Sequence, residues 1–297
     1  MSDKHIECII NTGKLQNFII ETDNRDLNIS NLRKFHNYIK RHLIVSNSKD
    51  INAKYLLDIA CGRGGDMQKW KEANLKYIFA FDSHKESIVN KSSDGAIYRL
   101  KELLRYTKMP FIKFHNLNIL DKDILTTINK LEKYNNLNKN KLNNFNGLYD
   151  IVSCQFAFHY FSKNNDSLNH VFNTISNKLK PGGLFIGTAT DGDKIKKILA
   201  LGDVDIPLLT LLNVNESDYI FNIKTNKNIR KTYFELQGES LEHYLLKKNF
   251  TEIALKHDLE VIEIKSFNEW YDKKFNLNTY EMVISFLNFS FIFKKIK

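Results

Sequence analysis

The chain has 297 residues, 42% hydrophobic and 26% charged, enough apolar material for one large core with the polarity of an ordinary soluble domain. No apolar run approaches the roughly 18 residues of a membrane span, and the charged start, Met1–Lys14, does not read as a secretory signal. The three cysteines (Cys8, Cys61, Cys154) stand far apart with no metal-ligand spacing, which predicts a reducing, intracellular setting, while the net charge of +10 favours an anionic partner such as nucleic acid or a nucleotide.

Residues 1–30 read as a loose arm ahead of a single domain, 31–297. From Tyr55 to Thr188 short apolar runs alternate with helical patterns. Tyr55–Ala60 reads as a buried strand, the loop Cys61–Gly65 follows, and a helix opens at Asp66. Tyr77–Phe81 is a second strand, Lys85–Thr107 a long helix, Phe111–Leu117 a third strand and Asp121–Leu131 a helix. Lys133–Asn146 is rich in Asn and Lys and reads as an exposed loop. Leu148–Cys154 is a fourth strand, Leu168–Leu179 a helix, and Pro181-Gly182-Gly183 a turn into the strand Leu184–Thr188. Strands alternating with helices give right-handed parallel βαβ units.

Beyond Asp191 the pattern changes. Ile195–Leu201 continues as helix, and residues 202–235 read as an irregular inserted lid. Glu239–Lys256 reads as helix, Leu259–Ile264 as strand, and Met282–Lys294 as a long apolar strand. Two strands added to the five predict an α/β fold: a seven-stranded, mostly parallel sheet with helices on both faces.

The run from Asp58 through Gly62, Gly64 and Gly65 to Asp66 leaves a strand and opens a helix, with a second carboxylate, Asp82, ending the next strand. Glycines let a backbone approach a bulky ligand, and a carboxylate at Asp82 suits the hydroxyls of a ribose. A dinucleotide site needs a third glycine, and Asp66 stands where pyrophosphate prefers bare N–H groups. S-adenosylmethionine, cationic and without phosphate, fits better, and an S-adenosylmethionine-dependent methyltransferase follows. A purely structural glycine turn is the plain alternative.

Four blocks narrow the reading: Leu32–Lys40 (LRKFHNYIK), Leu57–Trp70 (LDIACGRGGDMQKW), Gln155–Tyr160 (QFAFHY) and Lys180–Asp191 (KPGGLFIGTATD). Together they resemble the messenger-RNA cap guanine-N7 methyltransferases, including the methyltransferase domains of large-DNA-virus capping enzymes. The resemblance implies the class I, Rossmann-like methyltransferase fold and S-adenosyl-L-methionine as cofactor. It implies that Lys40 and Asp66 contact the methionine end, Gly62 lies beneath it, and Asp82 holds the ribose. Asp58 belongs to the same cofactor loop, and Gln155 lines the transfer site. Asn118 stands where the family carries an acidic residue near adenine.

For the cap, the resemblance implies that Asn37, His159, Tyr160 and Glu242 surround guanine. Phe286 takes the place of a stacking tyrosine, and Arg63 and Arg99 meet the triphosphate. Thr190 stands where many members have proline, a lost apolar contact. Guanine N7 has a free lone pair, so the displacement needs proximity and orientation and no acid–base dyad or metal; Gln155, His159, Tyr160 and Glu242 then position. Glu242 would accept from the guanine N1–H and amino group.

The implied partner is 5'-capped mRNA, with other capping-enzyme domains or a stimulatory subunit, no membrane, and a cytoplasmic (viral factory or virion) or nuclear location. Two other readings stay open: a methyltransferase of another RNA or small molecule, and a non-catalytic cap-binding module.

Overall fold

The central strands are mostly apolar and buried along nearly their whole length because both faces of their sheet are covered. This computed structural model describes residues 2–16, 29–90, 95–136, 145–224 and 239–297. Strands β1 (Tyr55–Ile59), β2 (Tyr77–Asp82), β3 (Phe111–Asn116), β4 (Tyr149–Gln155) and β5 (Leu179–Thr190) pair in parallel in the order β5-β4-β1-β2-β3. Their side chains alternate between two cores. Leu56, Ile78, Ile151 and Ile186 enter one, and Leu57, Phe79, Val152 and Phe185 the other.

Helices close both faces. On the first lie α1 (Asp3–Thr12), α2 (Ser30–Arg41), which runs through a π-helical stretch His42–Ser46 into α3 (Asn47–Asp50), and α4 (Met67–Glu72). Further along come α5 (Lys85–Val89), α6 (Ala96–Tyr106), α7 (Ile124–Asn136), α8 (Asn165–Lys178) and α9 (Gly192–Leu199). Ile128, Val171 and Phe172 of α7 and α8 seal the second core.

Residues 202–224 are not irregular. They form β6 (Val204–Ile206), β7 (Leu209–Asn213) and β8 (Asp218–Ile223), which with β9 (Ser240–His243) make an antiparallel four-stranded sheet. The predicted helix over Glu239–Lys256 is thereby corrected: β9 occupies its start, and α10 begins at Lys247 (Lys247–Lys256). β10 (Leu259–Ser266) leads through α11 (Phe267–Trp270) to α12 (Thr279–Phe286) and β11 (Asn288–Lys295).

The predicted strand Met282–Lys294 is therefore two elements. Asn278 and Glu281 form a capping box that starts α12, and a continuous apolar run does not separate helix from strand by period. β11 pairs antiparallel with both β5 and β10, completing the order β10-β11-β5-β4-β1-β2-β3. Of the seven strands only β11 runs against the rest, and the predicted α/β class holds.

Smaller differences have local causes. The Pro181-Gly182-Gly183 turn lies inside β5 as a register shift against β4. α7 runs through Asn136, into the expected loop. The predicted helix Lys85–Thr107 appears as α5 and α6 on either side of residues 91–94, which lie outside the described residues. Within the expected loose arm, α1 buries Ile6 and Ile10 and ends on Gly13 in the left-handed conformation. Residues 17–28, 137–144 and 225–235, parts of the arm, loop and lid, also lie outside the described residues. Among the described residues no helix is long and apolar enough to cross a membrane.

Candidate active site

The strand order reverses between β1 and β4, and in such sheets ligands settle beyond the strands' carboxyl ends at that switch point. Both strands end there in strained backbone. Ala60 follows β1 with φ 55°, and Phe156 follows β4 with φ 56°, a conformation that costs a side-chain-bearing residue about 1–2 kcal/mol. Gly62 and Gly64 also have positive φ, and a Cβ on Gly64 would lie 2.5 Å from Met67 Cε. At Gly65 a Cβ would meet nothing within 4 Å, so the loop presents open space there.

Carboxylates surround this loop. Asp82 Oδ2 accepts the Gly62 N–H at 2.9 Å and its Oδ1 accepts the His84 N–H at 2.8 Å, tying the loop to the end of β2. Asp66 is buried; Lys40 Nζ lies 2.9 Å and Lys69 Nζ 2.7 Å from its Oδ1. Burial works to raise its pKa, but the two ammonium groups win and hold it well below the usual carboxylate range. Asp58 is less well compensated, by a Ser153 hydrogen bond and the charge of Lys40. It is 3% exposed, its Oδ1 accepts no hydrogen bond among the described residues, and burial followed by the charge of Asp66 pushes its pKa well above normal. An orphaned buried carboxylate oxygen beside two further carboxylates is a setting for a cationic ligand rich in N–H donors.

A second cluster lies past the end of β4. Glu242, on β9, is 4% exposed. Its Oε2 accepts from the Tyr219 hydroxyl at 2.7 Å and lies 3.5 Å from His159 Nε2; its Oε1 accepts from Ser240 at 3.0 Å and Tyr160 at 3.3 Å. Burial raises the Glu242 pKa, yet His159 and the hydroxyl donors overcome it, so the carboxyl ionises more readily than usual. Burial and the Glu242 charge push the Tyr160 hydroxyl above the ordinary tyrosine range, so it remains a donor.

The remaining predicted residues fall around these clusters. Gln155, half-buried at the end of β4, bonds Ser153 and Thr188 through its amide. Asn37 accepts from Lys69 Nζ at 2.8 Å, which joins it to the Asp66 group and not to Glu242. Arg99 Nη1 donates to the Arg63 carbonyl at 2.9 Å, so the two arginines flank the loop together. Asn118 is exposed and spends its Oδ1 on the Leu120 N–H at 3.1 Å. Phe286 is corrected outright as a stacking platform: it lies on α12, 1% exposed, with its ring packed against Tyr271.

Sequence reading missed Lys69, Tyr219, Ser240 and His36. Lys69 was findable, since it stands three positions after Asp66 on one helix face. His36 is fully buried, stacks on Phe156 at 4.9 Å and bonds Ser285 at 3.0 Å; burial lowers its pKa to about 3.

A sequence model of the mRNA (guanine-N(7))-methyltransferase domain matches residues 13–290. The chain belongs to that family. Among its relatives, a probable mRNA-capping enzyme of Acanthamoeba polyphaga mimivirus is 26% identical over 84% of this chain and 23% of its own length. An mRNA cap guanine-N(7) methyltransferase of Caenorhabditis briggsae is 27% identical over 83% of this chain and 63% of its own length. The chain thus spans under two thirds of either relative. In fold, it is similar to an S-adenosylmethionine-dependent methyltransferase from Clostridium acetobutylicum, with a TM-score of 0.52, 14% identity and 98% of each chain covered.

Proposed function

We propose that this domain methylates N7 of the guanine that caps mRNA, with S-adenosyl-L-methionine as the donor. The observation that carries the reading is the buried Glu242 carboxylate, held by His159, Tyr160, Tyr219 and Ser240 beyond the carboxyl end of β4. An ionised carboxylate accepts two parallel N–H bonds, and guanine offers that pair at N1 and its amino group where adenine does not.

The loop residues fit the cofactor. Bound, S-adenosylmethionine supplies a methyl group already activated on a sulfonium. Asp58, with its orphaned oxygen, and Asp66 suit the cationic methionine end, and Asp82 suits the ribose. Gly65 leaves the loop face open.

No residue need remove a proton, since guanine N7 is nucleophilic as it stands. The side chains then act by orientation: Glu242 fixes the base edge, Tyr160 borders it, and Gln155 lines the space toward the loop. The ionised Glu242 also favours the positive charge that methylation leaves on the purine. Arg63 and Arg99 supply charge for the triphosphate, and binding of capped RNA weakens steeply with salt. The expected setting is the nucleus or a cytoplasmic site of transcription, alongside the other capping activities. Incubation of the protein with methyl-labelled cofactor and GpppA tests this: label recovered in 7-methylguanine supports it, and label absent from guanine overturns it.

A further inference from the structure

Thr190, the last residue of β5, is 5% exposed and makes two contacts that converge on one carboxylate. Its N–H points at His159 Nδ1 at 3.4 Å, and its Oγ1 lies 2.8 Å from the Tyr219 hydroxyl. Donor and acceptor roles follow by elimination. A carboxylate only accepts, so Tyr219 gives its single proton to Glu242 Oε2, and the Thr190 hydroxyl must give its own to the Tyr219 oxygen. A backbone N–H only donates, so His159 Nδ1 accepts, which leaves Nε2 for the ring proton; Nε2 lies 3.5 Å from Glu242 Oε2, within ion-pair range and short of an aligned hydrogen bond.

The geometry points to Thr190 as a positioning residue that orients both His159 and Tyr219 toward Glu242 Oε2, an inference that rests on the reading of Glu242 as the guanine acceptor. The two oxygens of Glu242 then differ in kind. Oε2 is anchored by Tyr219, which is fully buried, and keeps a second lone pair for one N–H of a base. Oε1 instead meets Ser240 and Tyr160, which are half-buried and exchangeable for the other N–H. Without the Thr190 hydroxyl, Tyr219 loses the donor that fixes its torsion, and the carboxylate plane is free to turn.

The test uses Thr190→Val, which keeps shape and N–H but removes the hydroxyl, Thr190→Ser as the rescuing variant, and Tyr219→Phe. With GpppA as substrate, Thr190→Val raises KM about tenfold, the worth of one well-made hydrogen bond, with cofactor affinity unchanged by calorimetry. The acid limb of kcat/KM moves to higher pH, because Glu242 loses support for its charged form, and Thr190→Ser restores both. The double variant is no worse than Tyr219→Phe alone, since the two hydroxyls act in series. Wild-type KM and acid limb in Thr190→Val would overturn the assignment, as would a His159 ring protonated on Nδ1 by nitrogen-15 NMR. If the wild type fails to methylate guanine, the substrate reading falls by itself. Carbon-13 titration of Glu242 in the free protein then decides for Thr190: a pKa raised in Thr190→Val upholds its role, and an unchanged one ends it.

Discussion

Lys40, on a helix ahead of the first strand, places its ammonium 2.9 Å from Asp66 Oδ1 in the glycine loop. The contact joins residues 26 positions apart and ties the helix to the glycine loop, one wall of the proposed cofactor cleft. Lys40→Met removes one of the two cations that keep Asp66 ionised and leaves Lys69 to do so alone. Denaturant unfolding should show a loss of about 1–3 kcal/mol, and isothermal calorimetry a cofactor affinity lowered at least tenfold. Unchanged affinity would detach Lys40 from the cleft.

The glycine loop separates strain from space. Gly64 has φ 68° and a Cβ there would press on Met67 and Phe114, so Gly64→Ala should cost about 1–3 kcal/mol. Gly65 has no such neighbour, and Gly65→Ala should leave stability within about 0.5 kcal/mol. Thermal unfolding of the two variants side by side checks the contrast. Equal losses would contradict it.

Asp82 holds two backbone N–H groups besides its proposed role at the ribose. Asp82→Asn keeps an acceptor for one of them, turns an amide N–H toward the other and removes the charge. The expected result is a folded protein whose cofactor affinity falls at least tenfold, since charged hydrogen bonds are worth roughly twice neutral ones. Calorimetry gives the affinity, and circular dichroism checks the fold.

His36 ties stability to pH. Burial lowers its pKa from 6.5 to about 3, so the unfolded chain binds a proton that the folded chain refuses. Stability from this group is present above pH 6.5 and is lost as pH falls toward 3. Between pH 7.5 and pH 5 the loss is about 2 kcal/mol. His36→Gln, still able to meet Ser285, removes that slope, and urea unfolding of both proteins at the two pH values measures the difference.

Much of the fold was legible because buried parallel strands are mostly apolar, and β1, β2 and β4 stand out against amphipathic helices. The loop from Asp58 to Asp66 was legible because its glycines and carboxylates are contiguous. The small sheet was not, since its alternation is short and its edge strand β9 follows residues outside the described set. Met282–Lys294 misled because an apolar run fits helix and strand alike. Tyr219 was invisible: only the pairing of β8 with β9, Tyr219 opposite Glu242, brings them together. Thr190, read as a lost apolar contact, is a hydrogen-bonding residue.

Glu242 is where the substrate reading concentrates. Glu242→Gln replaces an acceptor pair with one acceptor and one donor and should lower kcat/KM by about 10²-fold or more, with the loss mainly in cap binding. A loss confined to cofactor affinity would move Glu242 out of the base site.

The most direct measurement is methyl transfer from labelled S-adenosylmethionine to GpppA and to ApppA, followed by digestion and separation of the bases. Label is expected in 7-methylguanine from GpppA and none from ApppA. Label on adenine or ribose, or equal use of the two dinucleotides, would contradict it.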